Sequence, residues 1–277
     1  MGIFSNSTPF EAIALILRIG SIGVAVSSLE LLLHGEDLGD QGLLDGEVQS
    51  TRSIWLVRSR LAGGIAVLSR STAATVLLAL RLVAACTLIA GAGDFEVARF
   101  AALVVAVTTL LLRVRSTMGI HASGAMVMLV YTACTLGLAV GTGRSMRSAL
   151  VFIAAQACLA YFVAGSGKLG EATWRNGTAI PLLVSTLMWG RRSEALLLRA
   201  HPSYGRLLCW FTMAGECSVA LSIFVPLPIG LGILALAALC HVVVAVAMRL
   251  PSFVWAFVST YPAIIFCSNW FHHGLAG

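Results

Sequence analysis

Residues 149–170 read ALVFIAAQACLAYFVAGSGKLG. Whether this stretch is a phosphate-cradling loop or the end of a membrane helix decides the fold. The GSGK string invites the first reading, because a P-loop ends in Gly-Lys after a glycine-rich turn. The match fails at two fixed places. The glycine required five residues before Gly-Lys is Phe162, and the Ser or Thr required after the lysine is Leu169. A P-loop also follows a β-strand, whereas residues 149–165 form one continuous apolar run of helix-forming residues. The stretch therefore reads as a helix that ends in glycines and a lysine.

The rest of the chain agrees with that reading. Of its 277 residues 58% are hydrophobic and 11% charged, with a mean hydropathy of +0.93. Soluble domains are nearer a quarter charged, so the chain is expected to be a polytopic membrane protein, multi-pass in the cell membrane with lipid around it. Runs able to cross a bilayer as helices of roughly 17–25 residues fall at 10–33, 72–91, 100–112, 122–140, 149–165, 207–225, 229–248 and 253–268, the third and last being short. The expected fold is an all-α transmembrane bundle of about eight spans, seven to nine, forming one integral-membrane domain over residues 1–277. The N-terminal tail has no basic residue and the first run contains Arg18, which argues for a retained first helix and against a secretory signal. A net charge of +6 is scattered among connections without a basic stripe, so no nucleic-acid partner is expected. With eight spans, most arginines fall on the side opposite the two termini, which would place both termini outside the cytoplasm.

Two connections stand out. Residues 34–60, HGEDLGDQGLLDGEVQSTRSIWLVRSR, are polar enough for water, and Trp55 marks a return to the interface. Residues 166–206 instead mix Trp174, Pro181, Leu182, Leu183, Leu187 and Trp189 with polar residues, the signature of a segment that lies in the interface or re-enters the bilayer. Seven cysteines, without a C-x-x-C spacing, all sit in apolar runs and read as small buried hydrophobes. His272 and His273 read as a frayed interfacial tail, and no metal site is expected from them without an acidic or cysteine partner at ligand spacing.

A charge at the centre of a membrane helix costs at least about 2.5–3.5 kcal/mol, which makes such residues functional candidates. Lys168, Glu216, His241 and the semi-polar Gln156 qualify. Arg18, Glu30 and Arg81 lie nearer segment ends and are expected to snorkel. Glu216 is ten residues before the PLP turn at 226–228 and His241 thirteen after it, so their depths differ by about one helical turn. They could pair, either as chemistry or as a buried couple that only fixes register. Of 18 basic residues Lys168 is the only lysine. An arginine cannot lose its proton, whereas a buried lysine can, and can then act as a base. The plainer reading is one lysine surviving by chance at an interface.

Residues 156–169, QACLAYFVAGSGKL, with Trp174 and Gly177 beyond, resemble the Q…Y-F-x-A-G-x-x-K-L…W-x-x-G segment of the horizontally transferred transmembrane (HTTM) family, which includes the vitamin K-dependent gamma-carboxylases. TMAGE, ending at Glu216, and HVVVAVAMRLPSF, His241 to Phe253, resemble the family's acidic helix and its H-x6-M-x-L/I-x2-F helix. The matching core is 156–253. The resemblance implies a lysine, Lys168, that deprotonates a reduced quinone cofactor of the vitamin K hydroquinone type. The reaction of that cofactor with oxygen then makes a base strong enough to prepare a glutamate for carbon dioxide. It also implies that His241 is a pocket residue, with Gln156, Tyr161, Trp174 and Glu216 around it. Ala125 and Met126 stand where members often carry a Gly-Asp or Asp-Asp pair. The large substrate-capturing region of the animal carboxylases has no counterpart in the sequence. Both departures point to the small bacterial members, some of which mature a secreted peptide toxin together with a partner protein. The rival expectation is a non-catalytic maturation or immunity partner of such a peptide.

Overall fold

The structure is a computed structural model, and it describes residues 8–34, 68, 70–115, 122–186, 190, 192–248 and 250–273. The expected return of the first connection at Trp55, and Leu187 and Trp189 of the second, lie outside these residues. The described chain is helical, without a strand: α1 Pro9–Leu33, α2 Ser71–Gly91, α3 Phe95–Arg115, α4 Ala122–Val140, α5 Gly143–Gly170, α6 Ala172–Arg175, α7 Ala179–Val184, α8 Arg192–Ala200, α9 Pro202–Leu221, α10 Leu227–Met248, α11 Pro251–Val258 and α12 Tyr261–His273. Among the described residues, seven segments are long and apolar enough to cross a membrane, the last of them α11 and α12 together. Helix α9, of 20 residues, occupies the place of the expected span at 207–225. The protein is thus an all-α polytopic membrane protein with about eight spans, and three short helices, α6 to α8, fill the expected interfacial stretch.

Local chemistry sets the helix ends. At the start of α1, Glu11 N–H donates to Thr8 Oγ1 at 3.2 Å and Thr8 N–H donates back to Glu11 Oε2 at 2.7 Å, a capping box with Pro9 at the first helical position. Asp94 caps α3 through Val97 N–H. Thr142 and Ser145 cap α5 reciprocally. Gly141, at φ +71°, closes α4 in the left-handed conformation that glycine adopts without penalty. Hydropathy alone underestimates these helices. The run at 100–112 is the core of α3, and the run at 149–165 the core of α5, because polar and charged residues such as Arg113, Arg144 and Lys168 extend each helix beyond its apolar core. The GSGK string is helical throughout.

The expected last span is interrupted at Ser259 and Thr260. Both hydroxyls are buried and donate to carbonyls one turn back, Ser259 Oγ to Ala256 at 3.0 Å and Thr260 Oγ1 to Phe257 at 2.7 Å. Backbone groups freed by a break are thereby satisfied without water, as the hydrocarbon interior requires.

Contacts divide the chain into two compact units, residues 13–149 and residues 1–12 with 150–277. In the first, α3 packs against α2 and α4, with small buried residues such as Ala84, Ala85, Ala98 and Ala102 along the helices; small side chains let helix backbones approach closely in a membrane. Ala74 and Leu78 gather Leu31, Leu32 and Leu112 around them. In the second unit α10 packs against α9, α11 and α12, while Val184, Ala195, Leu198 and Ile180 form a small core under α7 and α8. Both units expose large apolar side chains along their long helices, among them Val83 and Leu136 in one and Val163, Leu239 and Val243 in the other, which suits a lipid surface.

Candidate functional site

Helix α5 carries a one-sided stripe. Tyr161 and Lys168 are seven residues apart, so they lie within about 20° of each other around the helix and about 10 Å apart along it. Gly165 falls between them. A Cβ at Gly165 would sit 2.7 Å from Cys217 Sγ and 3.2 Å from Glu216 Cβ, so the missing side chain lets α9 approach α5 here. Cys158 Sγ lies 3.9 Å from Val219 O on the same flank.

That approach delivers Glu216 to Lys168. Lys168 Nζ donates to Glu216 Oε2 at 2.6 Å and Oε1 at 2.8 Å, and to Ala164 O at 3.3 Å. Both side chains are about four-fifths withdrawn from the surface, at 22% and 23% exposure. The indole of Trp174, on α6, lies 5.2 Å from Nζ, so the ammonium faces an aromatic surface as well as a carboxylate.

Two turns away on the same stripe, the Tyr161 hydroxyl is 2.6 Å from His241 Nε2 on α10 and 3.0 Å from the Tyr261 hydroxyl on α12. Rings enclose this array. Phe257 stacks on His241 at 4.9 Å and 14°, meets Tyr161 edge-on at 5.3 Å, and lies parallel to Phe253 at 6.0 Å. Four elements, α5, α10, α11 and α12, thus converge on Tyr161.

Five of the six sequence candidates, Lys168, Trp174, Glu216, Tyr161 and His241, enter these two groups. Gln156 does not. It lies about 140° around α5 from Tyr161, and is half-buried with no hydrogen bond among the described residues. The expected Glu216–His241 couple is also corrected. Each has its own partner, Lys168 and Tyr161 respectively, because similar depth does not fix which way two side chains face around their helices. Tyr261 and Phe257 were not among the candidates. A tyrosine in an apolar helix needs a partner for its hydroxyl, and that need was the available signal. His272 is not frayed either: α12 runs through it, and its Nε2 lies 3.1 Å from Val225 O.

The other unit holds a polar cluster of different make. Arg81, at the midpoint of α2, does not snorkel to an end. Its Nε donates to Ser28 Oγ at 2.8 Å and its Nη2 to Ser27 Oγ at 3.0 Å. Both serine hydroxyls donate in turn to Val24 O, which leaves their lone pairs facing the guanidinium. Nearby in the same unit, the fully buried Tyr131 hydroxyl lies 2.7 Å from Ser21 Oγ. No family model, curated protein or solved structure matches the chain.

Proposed function

We propose that the protein is a membrane-embedded enzyme of the HTTM, carboxylase-like type, in which Lys168 is the base of a quinol-linked modification of a small peptide during its maturation. The observation that carries this reading is the bidentate contact between the chain's one lysine and Glu216. An ammonium must give up a proton before it can accept another, and here a carboxylate oxygen 2.6 Å away is the destination. Moving that proton from Nζ to Oε2 turns two charges into a neutral amine and a neutral acid. The neutral amine would then be able to accept a proton at Nζ from the hydroxyl of a bound quinol.

A reduced quinone is a flat aromatic diol, and the donor set fits it. It needs ring faces and polar atoms at its rim, and Trp174, Phe257 and Phe253 supply the former while Lys168, Tyr161 and His241 supply the latter. When bound, such a group would supply the acidic hydroxyl and the reducing equivalents of the reaction. Tyr161 and His241 would orient it, and the surrounding rings would exclude water. The peptide substrate and a partner maturation protein complete the proposal.

The same ion pair favours one other reading, because a bidentate contact also ties α5 to α9. On that reading the protein is a non-catalytic maturation or immunity partner of a secreted peptide. Mass spectrometry of small secreted peptides from cells with wild-type or Lys168→Arg protein separates the two. A mass increment that depends on wild-type protein and vanishes with a well-expressed Lys168→Arg variant is the expected result. Peptides of unchanged mass, or equal modification by both proteins, would remove the catalytic reading.

A further inference from the structure

An open cavity of about 430 Å³ lies where the turn after α6 meets the corner between α8 and α9, and Asn176, Thr178, Arg199, Ser203 and Arg206 line it. Its walls are held by close backbone contact. Gly177, at φ +79°, lies so near α9 that a Cβ on it would fall 2.4 Å from Arg206 Cα, and one on Gly205 would fall 3.0 Å from Gly177 O. Side chains at either position would push the two segments apart, so the two glycines fix the pocket's shape.

The lining carries two guanidinium groups and no carboxylate. Neither Arg199 nor Arg206 has an ion pair or hydrogen-bond partner among the described residues. Arg199 has a helical reason for its place, since a cation in the last turn of α8 complements that helix's dipole. Arg206 has none: it lies in the N-terminal half of α9, away from the end where a helix dipole favours a cation. Two unpaired guanidinium groups over a pocket edged by a side-chain amide and hydroxyls match the oxygens of a phosphate, which arginine binds through paired N–H donors. The helices that frame the pocket also expose Leu196, Leu197, Tyr204 and Leu207, each more than half accessible. A polar socket on helices that also carry exposed apolar side chains suits a molecule with a phosphate at one end and hydrocarbon at the other.

We propose that this cavity binds the phosphate of an anionic phospholipid headgroup, with Arg199 and Arg206 as its ligands and the exposed leucines against its acyl chains. The site is separate from the Lys168–Glu216 pair and does not rest on the function proposed above. Purified protein is placed in phosphatidylcholine nanodiscs with or without phosphatidylglycerol, and its unfolding temperature and lipid retention by native mass spectrometry are measured. A further arm adds inorganic phosphate to the phosphatidylcholine sample. The expected result is that phosphatidylglycerol raises the unfolding temperature and is retained by the wild-type protein. Retention should fall at least about tenfold in R199Q/R206Q, the effect of losing one charge-assisted hydrogen bond, and R199K/R206K should recover part of it. The variants' behaviour in pure phosphatidylcholine shows whether they fold. Equal retention by wild type and R199Q/R206Q, or stabilisation by inorganic phosphate alone, overturns the proposal.

Discussion

Lys168 and Arg81 are both cations on apolar helices, yet their surroundings differ. Lys168 meets a full negative charge, held at both oxygens by Glu216. Arg81 meets two serine hydroxyls whose own protons are spent on Val24. A carboxylate can receive a proton from the amine beside it, whereas a serine hydroxyl already hydrogen-bonded to a carbonyl offers the guanidinium only a dipole. Chemistry is therefore expected where the cation is a lysine with an acid, and anchoring where it is an arginine with hydroxyls.

The comparison breaks most sharply at Lys168→Arg. An arginine can still bridge both carboxylate oxygens, so the protein should reach the membrane at a normal level. Activity should fall by about 10²–10⁴, the usual contribution of a general base. Near-normal peptide modification by that variant would make Lys168 an anchor like Arg81.

Next in size is Glu216→Gln. Leaving one charge of a buried pair without its partner costs roughly 3–5 kcal/mol, and partial exposure of both side chains places this case at about 3 kcal/mol. Thermal unfolding in detergent measures it, and a Lys168→Met, Glu216→Gln double variant should regain a good part of the loss. Additive losses would mean that the pair is not coupled.

Gly165→Ala sharpens the comparison by acting on distance alone. A methyl group 2.7 Å from Cys217 Sγ and 3.0 Å from Cys217 N must push α9 away, at a cost of about 2 kcal/mol. Because the displacement opens the Lys168–Glu216 contact, activity should fall with stability. A variant as stable as wild type would show that α9 has room to move.

Smaller again is Tyr161→Phe, which leaves His241 and Tyr261 without their shared partner and should cost about 1–2 kcal/mol. The smallest effect belongs to Arg81→Met. The serines keep their bonds to Val24, no carboxylate is orphaned, and the change should stay within about 1 kcal/mol of wild type. A loss at Arg81 as large as that at Glu216 would erase the distinction between the two clusters.

The membrane fold was legible because apolar runs of bilayer length have few other uses, and the runs located every long helix of the described residues. Their ends were less legible. Helix α3 reaches Arg113 and Arg115 and α5 reaches Lys168, since a helix continues through polar residues once they are at its end, and hydropathy does not register that. The last span read as one run because Ser259 and Thr260 look unremarkable until both hydroxyls are seen returning to their own backbone. At the site, composition singled out Lys168, and the cost of a charge singled out Glu216 and His241. Their partners were misassigned, because counting from the PLP turn gives depth but not the direction around the helix. Arg81 was misplaced for a related reason. Its neighbours Ser27 and Ser28 lie far away in sequence, on α1, and serines carry no signal of their own in an apolar run.

The scarcity of lysine has a practical side. With one lysine in 277 residues, a reagent selective for primary amines can modify a single side chain besides the amino terminus. Mild reductive methylation with isotopically labelled formaldehyde would place one side-chain resonance in the spectrum of the whole protein, on Nζ itself. Its chemical shift would follow the protonation of that nitrogen directly, without mutation and in any lipid chosen.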